Sequence, residues 1–100
     1  MTREDFSREL FEQFKKNGIE AEAITADAYS VKVGKKEFLI NLYKMSVTIT
    51  VYWNVKAYDS VRLMSMDIFY DDVTQIWVND NRLFIMSMGK SCSVFRMEKD

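Results

Sequence analysis

The chain has 100 residues, a formal net charge of −1 and an isoelectric point near 5.5. Its length accommodates a single domain, and the 48% share of hydrophobic residues excludes a disordered protein. The near-zero charge argues against a general nucleic-acid binder, since such proteins need a positive surface to displace counterions from phosphates.

Few side chains suited to catalysis or metal binding are present. Histidine is absent and cysteine occurs once, at Cys92, so His-based triads, zinc sites and an intrachain disulfide are excluded. The sequence also lacks a glycine-rich phosphate loop. We therefore predict no enzymatic activity, no metal and no cofactor, and we expect Cys92 to be a buried structural thiol.

The same residues bear on location. One free thiol among seven methionines fits a reducing interior, so the expected location is the cytoplasm. The first residues carry acids and run into a helical pattern, which does not resemble a signal peptide. The longest uninterrupted apolar run is only residues 83–86, so we expect no membrane span.

The first predicted element is an amphipathic helix over residues 3–17. Thr2 and Asp5 have the spacing of a capping box, and Asn17 followed by Gly18 indicates a C-terminal stop. Apolar residues recur at helical spacing on one stripe, which we interpret as core packing. This stripe consists of Phe6, Leu10, Phe11 and Phe14.

After Gly18 the apolar period changes to two, and we predict an antiparallel sheet over residues 19–97 with about six or seven strands. Its clearest strand is residues 46–55. One side of this strand should face the helix stripe, and the other should belong to a polar, lysine-flanked surface. The apolar side consists of Val47, Ile49, Val51, Trp53 and Val55, and the polar side includes Thr48, Thr50 and Tyr52.

Other segments are less regular. Residues 19–24 indicate a weak first strand, and residues 67–72 mix acids with apolar residues in no clean period. Hairpin turns are predicted at residues 34–35 and 79–81, where glycine, asparagine and aspartate tolerate left-handed backbone conformations.

The predicted fold is α+β, with the helix packed on one bent antiparallel sheet, as a meander or partial barrel, in a single domain of residues 1–100. A helix about 10 Å across cannot cover a sheet of that width, roughly 25 to 30 Å. The C-terminal strands also carry apolar residues on both sides. Three arrangements would resolve this: the sheet curls into a partial barrel, two copies pack face to face, or the methionine- and phenylalanine-rich face binds another protein.

Charge is unevenly spread along the chain. Residues 32–56 carry five lysines against Glu37 alone, whereas residues 59–80 carry five aspartates against Arg62 alone. We expect a basic and an acidic side, which could orient a partner. Asp71 and Asp72 would point to opposite faces of an extended chain, so they do not form an acid–base pair.

These features favour a non-catalytic protein-binding module, in the form of a small stoichiometric inhibitor that occludes its partner. Small inhibitors that phages and mobile elements make, including anti-CRISPR proteins, share this size and composition. The candidate partner-binding residues are Met64, Met66, Asp67, Tyr70, Asp71, Asp72, Phe84, Met86 and Met88.

Other classes of function stay open. One is a homodimeric structural or adaptor subunit, and another is a small-molecule barrel. A less favoured one is a single-stranded nucleic-acid binder that uses the segment Lys32 to Lys56, where Tyr43, Tyr52 and Trp53 lie among the lysines.

Overall fold

The structure is a computed structural model that describes residues 1–56, 59–89 and 91–98, with the backbone alone for residues 55, 56 and 59. In these ranges the chain forms one α-helix and eight strands, and the strands make up two antiparallel sheets. The elements are α1 (Arg3–Lys16), β1 (Glu22–Ala23), β2 (Ala28–Val33), β3 (Lys36–Leu42), β4 (Ser46–Lys56), β5 (Asp59–Phe69), a 3₁₀ turn (Tyr70–Asp72), β6 (Val73–Asn79), β7 (Arg82–Ser87) and β8 (Ser91–Arg96). Sheet A has the order β1-β2-β3-β4-β5, and sheet B the order β6-β7-β8.

The ends of α1 follow the predicted signals. The backbone N–H of Asp5 donates to the Thr2 hydroxyl at 3.0 Å, and the Asp5 carboxylate accepts from the Thr2 N–H in return, which completes the capping box. At the other end Gly18 has a φ of +70°, and the N–H of Ile19 donates to the carbonyl of Phe14 at 2.8 Å. This is a Schellman motif, and α1 ends one residue earlier than predicted.

The helix stripe and the apolar side of β4 both lie in the core, as predicted. Phe6, Leu10 and Phe14 are buried on α1, while Phe11 is half-buried against the ring of Tyr29. On β4 the buried side chains of the apolar parity are Val47, Ile49 and Val51. Trp53 is half-buried, and the side chain of Val55 lies outside the described residues.

The prediction of one bent sheet or partial barrel is only partly correct, because the strands divide into two sheets and do not close. The division occurs at the 3₁₀ turn. Tyr70 is 3% exposed, its ring lies 5.4 Å from that of Phe6, and its hydroxyl donates to the carbonyl of Tyr43 at 2.7 Å. The amino group of Met1 donates to the carbonyl of Tyr70 at 2.9 Å. These contacts hold the turn in the core. Sheet A therefore ends at β5, and the next strand, β6, belongs to the other sheet.

Sheet B therefore supplies the cover that α1 alone could not give. The N–H of Val78, on the edge of β6, donates to the side-chain oxygen of Gln13 at 3.1 Å, so β6 lies beside α1. Leu83, Ile85 and Phe95 of sheet B join the same core cluster as the buried residues of α1 and sheet A. The core is thus enclosed by a helix and two sheets.

Two weaker predictions also receive an answer. The expected strand at residues 19–24 is reduced to Glu22–Ala23, and the irregular segment at residues 67–72 is the end of β5 followed by the 3₁₀ turn. Asp80 and Asn81 have φ values of 51° and 58°, as a two-residue hairpin turn of type I′ requires.

Candidate interaction surface

Sheet B turns an apolar face away from the core. Cross-strand pairing places Trp77 beside Phe84 and Phe84 beside Val94, and in the neighbouring row Met86 lies beside Cys92. The residues between them in sequence, such as Leu83 and Phe95, point into the core. We define the outer face of sheet B by Trp77, Phe84, Met86, Cys92 and Val94.

An aromatic pair lies at the centre of this face. The rings of Trp77 and Phe84 are stacked, with centroids 5.0 Å apart and an interplanar angle of 4°. Each ring shields part of the other, so both residues are half-buried, whereas Val94 next to them is 46% exposed. Stacked rings have little freedom left to lose, and aromatic anchors of this kind contribute strongly to protein interfaces.

Positive charge borders the face at one end. Arg82 and Arg96 are cross-strand partners, and the carboxylate of Glu98 accepts from the Arg96 guanidinium at 2.8 Å and lies 3.8 Å from that of Arg82. The ammonium of Lys36 donates to the carbonyl of Arg96 at 3.2 Å. The hydrogen bond from Arg96 is the main reason that the pKa of Glu98 is lowered. Desolvation, the next largest effect, opposes it, and the charges of Arg96, Arg82 and Lys36 lower the pKa further. Arg96, Arg82 and Lys36 thus surround Glu98 with positive charge at this end of the face.

The candidate methionines and phenylalanine do not all lie together. Phe84 and Met86 are on the outer face of sheet B, and Met88 is 69% exposed in the turn after β7. Met66 of β5 is half-buried and packs against the core, and Met64 of the same strand is partly exposed farther along it.

The candidate acids and Tyr70 are placed differently from one another. The carboxylate of Asp67 accepts from the hydroxyl of Thr48 on the outer face of sheet A. Asp71 is exposed on the 3₁₀ turn, and the carbonyl of Asp72 accepts from the N–H of Met88 at 2.7 Å, so the acidic turn adjoins the turn that carries Met88. Tyr70 is buried, and this burial raises the pKa of its hydroxyl. Its side chain is a core residue and is not available to a partner.

Two further outcomes concern β6 and β8. Trp77 was not identified from the sequence as a binding residue. The predicted turn at residues 80–81 could have indicated it, because this turn fixes the register that places Trp77 beside Phe84. The expectation that Cys92 is buried is wrong, because its thiol is exposed on the outer face of sheet B. Alternation assigns Cys92 to the face opposite Phe95, and the core takes Phe95.

The lysine-rich segment does not form one compact patch. Lys35 lies in the turn before β3 and Lys44 in the loop after it, and the seven residues of β3 between them span roughly 24 Å. Lys32 is the cross-strand partner of Glu37. The side chain of Lys56 lies outside the described residues.

The largest groove described on the surface is open and lined mainly by polar residues. This groove of about 610 Å³ near the start of α1 is lined by Arg3, Asp27, Tyr43 and Lys44, among others, and Arg3 forms an ion pair with Asp27 across it. No three acidic or cysteine side chains converge to hold a metal ion within the described ranges. Nor is any helix in that part of the chain long and apolar enough to cross a membrane.

Comparisons of the chain with protein-family models, with curated proteins and with solved structures find no match.

Proposed function

We propose that the protein is a non-catalytic protein-binding module that contacts its partner through the outer face of sheet B. The observation that carries this proposal is the exposed apolar face with a stacked aromatic pair at its centre. Contiguous apolar surface rimmed by polar residues is typical of a site that another protein covers. The cations at one end of the face would orient that partner.

The size of the face bears on the kind of complex. The three strands of sheet B, of about six residues each, cover roughly 14 Å by 20 Å, or about 290 Å² of sheet. A stable interface buries about 800 Å² on each partner, so the face would be the central anchor of a larger contact. A homodimer, the alternative, would likewise need contacts beyond this face.

The nucleic-acid alternative also has less support on this surface. A base stacks on a free ring face, yet Trp77 and Phe84 each present one face to the other. Elsewhere, the lysines of residues 32–44 are spread along the length of β3.

The finer form of the proposal is a small stoichiometric inhibitor that occludes the surface it binds, of the kind that phages and mobile elements make. Without chemistry of its own, a protein of this size would act by covering a functional surface of its partner. The free thiol of Cys92 favours a reducing cytoplasm as the place of action.

Two exposed valines on edge strands provide a matched test. Val94 lies on the outer face of sheet B, and Val61 lies on β5 with 54% of its surface exposed. Tagged wild-type protein, Val94→Asp and Val61→Asp would each be used for capture from native cell extract, followed by quantitative mass spectrometry. We expect Val94→Asp to lower recovery of the specific partner at least tenfold and Val61→Asp to retain it. Equal recovery by the two variants would overturn the proposal.

A further inference from the structure

The edge strands of the two sheets differ in how they are protected against pairing with another chain. Sheet A ends in β5, whose pairing with β4 is interrupted by two register shifts, and such bulges distort an edge. The other edge of sheet A, β1, has only two residues. In sheet B the edge of β6 is covered by α1 through Gln13 and Val78.

β8 is the remaining edge, and it has the least protection. Its six residues pair with β7 in one continuous register without a shift. The chain has no proline that could block this edge, and in the residues that the structure describes no helix covers it. On its outward side the carbonyl of Arg96 accepts a hydrogen bond from Lys36.

The phase of the β7–β8 ladder shows which backbone groups of β8 are available. The N–H of Met97 donates to the carbonyl of Asn81 at 2.7 Å. Because bonding alternates along an antiparallel pair, Phe95 and Ser93 also bond toward β7, and the backbone groups of Arg96, Val94 and Cys92 point away from it. The contact between Lys36 and the carbonyl of Arg96 agrees with this phase. Cys92 and Val94 thus present two N–H and two C=O groups outward.

We infer that β8 accepts an extended segment of the partner as a fourth strand of sheet B, with an apolar residue beside Val94 and a carboxylate beside Arg96. This inference rests on the proposed function and specifies how the partner binds. Strand addition draws affinity from main-chain hydrogen bonds and specificity from alternate side chains.

The side chains of the same three residues select the chemistry of the added strand. Cys92, Val94 and Arg96 all point to the outer face of sheet B, so a residue opposite Val94 would extend the row begun by Trp77 and Phe84. An apolar residue there gains a cross-strand contact.

The positive charge of Arg96 favours an acidic residue at one end of the bound segment and argues against a second copy of this chain. Arg96 is the only charged residue of β8, and its side chain is 66% exposed. A carboxylate opposite Arg96 would accept a charge-assisted hydrogen bond from its guanidinium. A second β8 strand contains no acid, so a second copy of this chain would place no strand carboxylate opposite Arg96.

The test uses a displayed library of random ten-residue peptides, selected on the wild-type protein. Two variants are compared with it for every enriched peptide. Val94→Pro removes an N–H that points away from β7, so the ladder keeps its bonds while the outward edge is blocked. Val94→Thr keeps both the N–H and the branched shape.

We expect enriched peptides to alternate apolar and polar residues and to carry an acid near one end. Their binding should fall at least tenfold on Val94→Pro and change less than threefold on Val94→Thr. Arg96→Glu should reject acidic peptides and accept the same peptides with lysine in place of the acid.

A measurement on the peptide side keeps the inference testable if Val94→Pro fails to fold. In a bound strand the N–H groups of every second peptide residue face β8, and those of the residues between them face away. N-methylation of the first set should abolish binding, and N-methylation of the second set should leave binding unchanged. An equal loss of binding for the two sets of methylated residues would overturn strand addition.

The remaining outcomes separate the inference from the proposed function. Peptides that bind Val94→Pro as well as wild type but are lost on Phe84→Ser would overturn strand addition and leave the outer face as the binding site. No enrichment, or binding that neither variant affects, would overturn both. A wild-type dimer in sedimentation that Val94→Pro converts to a monomer would place a second copy on this edge and overturn the acidic segment.

Discussion

The outer faces of the two sheets differ in how they meet water. On sheet A the polar side chains pair with one another: the Ser30 hydroxyl donates to Glu37 at 2.6 Å, and the hydroxyls of Thr50 and Ser65 lie 3.1 Å apart. On sheet B the corresponding positions hold the Trp77–Phe84 stack and the exposed Val94. Both faces point away from the same core.

The outer face of sheet B therefore offers a partner apolar contact, and on the outer face of sheet A the apolar Phe69 is also 57% exposed. Covering the outer face of sheet A would take exposed polar groups such as Ser65 and Asp67 out of water at a cost, because buried polar groups must keep their hydrogen bonds. Covering the outer face of sheet B removes apolar surface, at about 25 cal/mol for each Å². The inner faces of the two sheets, by contrast, should behave alike.

The largest expected effect concerns those inner faces. Ile49 of sheet A and Leu83 of sheet B are both fully buried in the shared core. We predict that Ile49→Ala and Leu83→Ala each lower the free energy of unfolding by about 2–5 kcal/mol, because each leaves a cavity. Urea denaturation followed by fluorescence measures both. A cost below about 1 kcal/mol for Leu83→Ala would show that sheet B is only loosely attached to the core.

The aromatic pair should show a smaller but specific coupling. In a double-mutant cycle on Trp77→Ala and Phe84→Ala, we predict a coupling free energy of about 1 kcal/mol, since stacked rings contribute beyond their buried area. The control cycle joins Phe84→Ala to Val61→Ala, which lies on the other sheet, and should show coupling near zero. A Trp77–Phe84 coupling no larger than the control would mean that the face is not preorganised.

The outer face of sheet A should respond to loss of a hydroxyl. Thr50 is 7% exposed and its hydroxyl contacts that of Ser65. We predict that Thr50→Val lowers the free energy of unfolding by about 0.5 kcal/mol, since exposed Ser65 can turn to water. Combining it with Ser65→Ala should cost less than the two single effects added. A stabilised Thr50→Val variant would contradict the view that this face depends on paired polar groups.

The smallest effect concerns the charged border of sheet B. Because Arg96 lowers the pKa of Glu98 from its ordinary value of 4.5, the ionised carboxylate stabilises the fold above that value, and this contribution disappears as the pH falls through the lower pKa of the folded state. NMR titration should show a depressed pKa for Glu98 that returns toward 4.5 in Arg96→Ala. Arg8→Ala, which removes a distant partner of Asp5, is the control and should leave Glu98 unchanged. A Glu98 pKa that does not respond to Arg96→Ala would contradict the ion pair.

Local features of the fold could be predicted because they depend on near neighbours in sequence. The Thr2–Asp5 cap, the stop at Gly18 and the buried side of β4 all follow from spacing within a few residues. The turn at Asp80 and Asn81 follows from residues that tolerate positive φ.

The division into two sheets depends on distant contacts and was not predicted. Alternation within β5 and β6 says that each is a strand, but it does not say whether they pair. That outcome depends on Tyr70, which is held by Phe6, Tyr43 and Met1 from far along the chain.

The candidate site was predicted in part for the same reason. Phe84 and Met86 follow from the two apolar sides of β7, whereas the burial of Tyr70 and the exposure of Cys92 depend on which side the core covers. A period of two separates the faces of a strand without saying which one is buried.

The central claim, that a partner covers the outer face of sheet B, can be tested through the single thiol of the chain. Cys92 is exposed on that face, and its rate of alkylation by a maleimide can be followed by mass spectrometry in buffer and in native extract. The variant Cys92→Ser/Val61→Cys provides the matched thiol on sheet A. We predict that extract slows alkylation at Cys92 at least tenfold more than in the control variant. Equal slowing at both positions, or none at Cys92, would contradict the claim.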